Sequence, residues 1–101
     1  MINNNDSTVY LLKDNVTSGD SSDVLSNSMF HTAAIQVIGA APVGLYVSND
    51  GTNFAKYGVD LGANSWTRLD GLYPFLKVTR DATTTTSVTV LVVRQPRPVD
   101  F

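Results

Sequence analysis

No cysteine occurs in the 101 residues, which excludes disulfide stapling, thiolate catalysis and cysteine-based zinc sites together. Stability must come from packing or assembly. Glutamate is missing too: all nine acidic residues are Asp, so the best acidic helix former is lost while turn and cap residues are plentiful. There is a single histidine, His31, so a His-based metal pair is impossible and any Ser-His-Asp triad would have to be built around it. No G-x-S-x-G elbow accompanies it. Between Phe30 and Thr32, His31 reads as a polar side chain on a sheet face. Phosphate loops of the G-x-x-x-x-G-K type and dinucleotide fingerprints are absent, so the sequence points to no cofactor, no metal and no enzymatic chemistry. No apolar stretch approaches membrane-spanning length, and Met1 to Asp6 has neither the basic nor the apolar region of a signal peptide. Synthesis and folding in the cytoplasm, away from membranes, are the expectation.

What is present describes one globular domain. The apolar share of 43% and the charged share of 16% are too rich in hydrophobic material for disorder. Net charge is −2 with a pI near 4.9, and the seven basic residues are scattered. Phosphate binding rests on clustered Lys and Arg, so nucleic acid is not an expected partner. Thr and Val abound, and β-branched side chains lose freedom in helices but pack well on a pleated surface.

Period-two patterning places the strands. Thr8 to Lys13 is a first strand, apolar on both sides, and Asp14 to Asn27 is a polar loop carrying at most a short strand or helical turn at Asp23 to Leu25. Phe30 to Ile38 is a second strand ending at Gly39. Val43 to Ser48 alternates Val, Leu, Val against Gly, Tyr, Ser. Asn49-Asp50-Gly51 is a turn signal, from which Phe54 to Leu61 returns with a bulge or bend marked by Gly58 and Gly62. Trp66 to Leu69 and Tyr73 to Arg80 are further strands, and Thr83 to Thr86 is a hairpin tip. Ser87 to Val93 is the clearest strand, central or covered on both faces, with Tyr73 to Arg80 as its expected neighbour. In Arg94 to Phe101 two prolines remove ladder donors and favour extended backbone. The expected organisation is an N-terminal arm over 1–7, a β-domain over 8–93 and an extended tail over 94–101. The fold class is all-β, a small antiparallel β-sandwich or jelly-roll-like barrel.

Three groups of residues carry candidate binding roles. Asp20 to Asp23 and Asn49-Asp50 are dense in oxygen, yet neither matches a calcium loop, and turn geometry explains Asn-Asp-Gly more economically. Tyr46, Phe54, Tyr57, Trp66, Tyr73 and Phe75 read mostly as core packing, with Tyr46 and Tyr57 as exposed exceptions. With Asn49, Asp50 and Asn53 those two tyrosines form a candidate glycan contact. In the terminal segments Ile2, Arg94, Pro96, Arg97, Pro98 and Phe101 are candidate partner contacts. A preset extended arm binds at reduced entropic cost, while the competing reading is an unattached chain end.

Ser48-Asn49-Asp50-Gly51-Thr52-Asn53-Phe54, then Leu69-Asp70-Gly71-Leu72-Tyr73-Pro74-Phe75-Leu76-Lys77-Val78 and Ser87-Val88-Thr89-Val90, together resemble small tailed-bacteriophage virion structural proteins. The resemblance spans Ile35 to Val93. It implies a capsid decoration or cement protein that bridges major capsid subunits, a homo-oligomer with a trimer favoured, and a place in the virion. Head-fibre and tail-associated modules share the pattern, and a tail-tube or baseplate component is a further alternative. A similar S-x-D-G-x-x-aromatic turn occurs in discoidin-like, galactose-binding sandwiches, to which Phe75 to Val78 is also similar, and implies a carbohydrate-binding or adhesin module as the alternative.

Overall fold

Alternating apolar and polar residues send every second side chain into a shared interior, and two sheets close on that interior. The computed structural model describes residues 8–27, 30–70, 73–80, 83 and 85–96. Among them there is no helix, and eight strands form: β1 (Thr8–Asn15), β2 (Leu25–Ser26), β3 (Phe30–Gly39), β4 (Val43–Ser48), β5 (Ala55–Lys56), β6 (Trp66–Asp70), β7 (Phe75–Arg80) and β8 (Val88–Pro96). One sheet has the order β1-β8-β3-β6 and the other β2-β7-β4-β5. Every pairing is antiparallel. The expected all-β sandwich is therefore the observed architecture.

The interior is filled from both sheets by Ile35 and Val37 of β3, Val88, Val90 and Val92 of β8, Val43 and Leu45 of β4, and Leu76 and Val78 of β7, all essentially inaccessible to solvent. Each such side chain contributes roughly 1.5–3 kcal/mol relative to exposure. The core is aliphatic. Contrary to the expectation from sequence, none of the central aromatics is fully buried: Tyr73 only packs against the core's margin, and Trp66 is 63% exposed. Strand parity explains this, because Trp66 shares its face of β6 with Arg68 and Asp70 while Leu69 points inward.

Three further expectations are corrected. Strand β8 does not pair with β7; it lies between β1 and β3, and β7 belongs to the opposite sheet. Alternation reports which face of a strand is buried but not which sheet the strand joins. The expectation that β8 is central or covered is met by its central place, with its outer face open and Val93 48% exposed. The return strand after β4 is reduced to Ala55–Lys56, and its continuation leaves the ladder until Leu61 bridges Val43. Gly58, at φ 67°, sits in the intervening bend. Finally, the β-ladder continues past Val93 to Pro96, which is opposite Phe30. Its described pairing with β1 stops at Thr8 opposite Val93, so Pro96 interrupts no described ladder on that side.

Two irregular stretches complete the sheets. Strand β1 shifts register twice against β8, which places the consecutive Leu11 and Leu12 both in the core. Residues 20–26 track β7: Ser22 N donates to Val78 O (2.8 Å), Arg80 N donates to Asp20 O (2.8 Å), and β2 pairs Leu25 with Leu76. Of the strand and the helical turn weighed for this loop, the strand is formed.

Two buried arginines tie the sheets together at opposite ends. Arg80, the last residue of β7, is 2% exposed. Its Nη1 donates to Asn15 O (2.8 Å) and Asn15 Oδ1 (3.0 Å) across the sandwich, and its Nη2 donates to Thr86 O. Arg94 of β8 is 3% exposed, and its Nη1 donates to Ser26 O (3.0 Å) in β2 of the facing sheet. Both continue the inward parity of their strands, Leu76-Val78-Arg80 and Val88-Val90-Val92-Arg94.

Candidate functional site

The turn singled out in the sequence is a seven-residue connection, 48–54, that starts at the last residue of β4 and is closed by the Val47–Ala55 pair. Its geometry follows from one carboxylate. Asp50 Oδ1 accepts from Thr52 N (2.8 Å), Asn53 N (2.8 Å) and Ser48 Oγ (2.8 Å), and Oδ2 accepts from Asn53 Nδ2 (2.9 Å). Ser48 Oγ in turn accepts from Gly51 N (3.0 Å). The Asn53 backbone N–H first, then the Asn53 side-chain amide, the Thr52 N–H and the Ser48 hydroxyl, hold the Asp50 carboxyl well below the usual carboxylate range. Gly51 stands at φ 78° over the Phe75 ring. Asp50 and Asn53 thus spend most of their capacity on the loop itself, leaving Asp50 Oδ2 as the acceptor with room for an outside donor. Asp20 serves its own turn similarly, accepting from Asn15 Nδ2 (2.8 Å) and Ser21 N (3.0 Å).

Because the folded Asp50 pKa lies below the unfolded one, its contribution to stability is complete above the unfolded value near 4 and is lost as pH falls toward the folded value. Asp50→Asn is expected to melt below the wild type by a constant margin at neutral pH, and the margin should narrow steadily below about pH 4. Melting curves from pH 7 to pH 2 check this; a margin that stays constant into acid contradicts the assignment.

The two tyrosines expected to be exposed differ in role. Tyr57 is 39% exposed and meets Tyr73 edge-on at 5.3 Å between ring centroids. Tyr73 OH donates to Tyr57 OH (3.3 Å), which raises the Tyr73 pKa. Tyr46 is half-buried: its ring lies against the backbone of Gly44, where an added Cβ would come within 3.1 Å of it. Lys56 and Asp60 form an ion pair (2.6 Å) beside it. Phe54 is faced by Lys77 Nζ at 4.6 Å from the ring centroid. These aromatics stand in separate contacts rather than forming one stacking platform.

A larger feature was missed in the sequence. The outer face of the β1-β8-β3-β6 sheet carries Tyr10, Ile38, Trp66 and Val93, all between 44% and 63% exposed. Register places Tyr10 beside Leu91, Leu91 beside Gln36 and Gln36 beside Trp66, a row that crosses all four strands. A shallow groove of about 350 Å³ runs between Trp66, Arg68, Ala34 and Val93. The available signal was strand parity, since Tyr10, Ile38 and Val93 each alternate with residues that are buried.

Of the residues expected to contact a partner through the tail, Arg94 is excluded by its burial: it belongs to the closure of the core. Pro96 ends β8. Ile2, Arg97, Pro98 and Phe101, with the arm over 1–7, lie outside the described residues. The described chain enters at Thr8 and leaves at Pro96 on neighbouring strands, at the same end of one sheet. His31 lies on β3. No protein-family model and no curated protein matches the chain.

Proposed function

We propose that this chain is a tailed-phage virion structural protein, a capsid decoration or cement protein whose sandwich bridges major capsid subunits and whose terminal segments reach onto the same neighbouring surface. The observation that supports the reading is the placement of Thr8 on β1 and Pro96 on β8 at one end of the same sheet, beside the face bearing Tyr10 and Val93. Two tethers leaving one end of a rigid body engage one partner cooperatively, because binding of the first raises the effective concentration of the second. The resemblance over Ile35 to Val93 supplies the partner class. Sedimentation with capsids purified without this protein tests it: saturable retention on capsids supports the proposal, and full recovery in the supernatant opposes it.

The carbohydrate-binding alternative is favoured by one observation, a groove beside the 48–54 loop where Asn49, Asp50 and Asn53 stand near Phe54. Glycan-array binding lost on Asn49→Ala, a substitution in that groove, with no capsid retention, would establish that reading instead.

A further inference from the structure

Strand β6 is an outer strand of its sheet, and its hydrogen-bonding pattern shows which backbone groups it leaves over. Val37 N donates to Ser65 O (2.8 Å), one step beyond the Gln36–Trp66 pair. Antiparallel pairs alternate between hydrogen-bonded and non-hydrogen-bonded, so Thr67 and Leu69 direct their N–H and C=O toward β3. Trp66, Arg68 and Asp70 therefore direct theirs away from the sheet. Their side chains share one open face: Trp66 is 63% exposed, and the Arg68 and Asp70 side chains are 60% and 67% exposed.

The other described edges do not offer this. Strand β1 shifts register twice and carries Asp14 at φ 48°, which bends an edge away from pairing. Strands β2 and β5 have two residues each. Strand β6 is regular over its five residues. Natural edges are commonly protected by charged side chains, Lys above all. Here the charges are Arg68 and Asp70, two positions apart and already joined at 2.9 Å, so the edge is neutral and matches its own reverse.

The geometry points to β6 as a docking edge for β6 of a second copy of this chain, running antiparallel about a two-fold axis at Leu69. In that register Arg68 of each copy lies opposite Asp70 of the other, and each of these two pairs exchanges both of its N–H···O bonds. The two sheets become one continuous sheet across the axis. A contact of this kind uses the same patch on both copies and closes at two, which departs from the trimer that the family resemblance implies. Self-matching charge is what selects a second copy over an unrelated strand.

Sedimentation velocity of the full chain over a concentration series tests the inference, with circular dichroism confirming that each variant folds. The wild type is expected to shift from about 10.9 kDa to twice that mass as concentration rises. Arg68→Asp turns both cross-strand pairs into Asp–Asp and Asp70→Arg turns both into Arg–Arg, so each should weaken dimerisation by about tenfold or more. The double swap R68D/D70R should restore it. The single swaps move net charge in opposite directions, so a shared loss cannot arise from net charge. A wild type that stays monomeric, a trimer, a dimer indifferent to the single swaps, or a double swap that fails to recover would each overturn the inference.

Discussion

Arg80→Met is expected to destabilise the fold by about 2–4 kcal/mol, against a total of about 5–15 kcal/mol for a typical domain. Methionine reproduces the stem of the side chain but none of its donors. Asn15 O, Asn15 Oδ1 and Thr86 O each accept from the Arg80 guanidinium, and hydrogen bonds to a charged group are worth about 1.5–3 kcal/mol apiece. Replacing a buried charge by a hydrophobe can be neutral when its partner is removed with it. Here the acceptors are left behind at the margin of the sandwich, Asn15 half-buried and Thr86 on the exposed connection, and two of the three are backbone carbonyls that no repacking of side chains removes. Arg80→Lys should recover only part of the loss, because a single ammonium cannot span acceptors on β1 and the 85–87 connection at once. Urea denaturation of the three proteins measures the difference. A loss below about 1 kcal/mol for Arg80→Met would show that the clamp is not needed.

Gly39→Ala should be comparably costly, about 3–5 kcal/mol, for an unrelated reason. Gly39 ends β3 at φ 131°, and a Cβ there would lie 2.4 Å from the backbone oxygen of Ser87 and 3.2 Å from Val88 Cα. Neither atom belongs to a flexible side chain. Relief would require β3 and β8 to separate at the Gly39–Val88 pair. It would also disturb the corner where Gly39 N donates to Asn64 Oδ1 (3.0 Å) and Asn64 N donates to Gly39 O (3.1 Å). Gly62→Ala is the matched control, since nothing lies within 4 Å of a Cβ there, and it should change stability by less than about 0.5 kcal/mol. Equal stability of the two variants would contradict the close approach described at Gly39.

The sequence disclosed its strands more readily than their arrangement. Val88, Val90 and Val92 announced a buried face through their spacing, but nothing in that spacing separates β7 from β3 as the neighbour of β8. Sheet membership depends on long-range pairing, which leaves no local trace. Arg94 was misassigned for a different reason. A charged residue followed by two prolines reads as the start of a tail, although it extends the Val88-Val90-Val92 parity by one step and the core claims it. The same parity carries Arg80 inward after Leu76 and Val78. Composition likewise misled on the aromatics, because size favours burial while alternation with Arg68 and Asp70 puts Trp66 on the surface. The Asp50 loop was legible as a turn, but the carboxylate that organises it, with its bonds to Ser48, Thr52 and Asn53, emerged only with the fold.

Burial of Arg94 changes where the C-terminal segment can be cut without entering the core, and so fixes the decisive comparison. Retention on purified capsids should be measured for the full chain and for a chain ending at Pro96, which keeps the whole of β8. Two-point attachment from one end of the sandwich predicts at least a tenfold loss of apparent affinity with unchanged circular dichroism. Equal retention of the two proteins would contradict it.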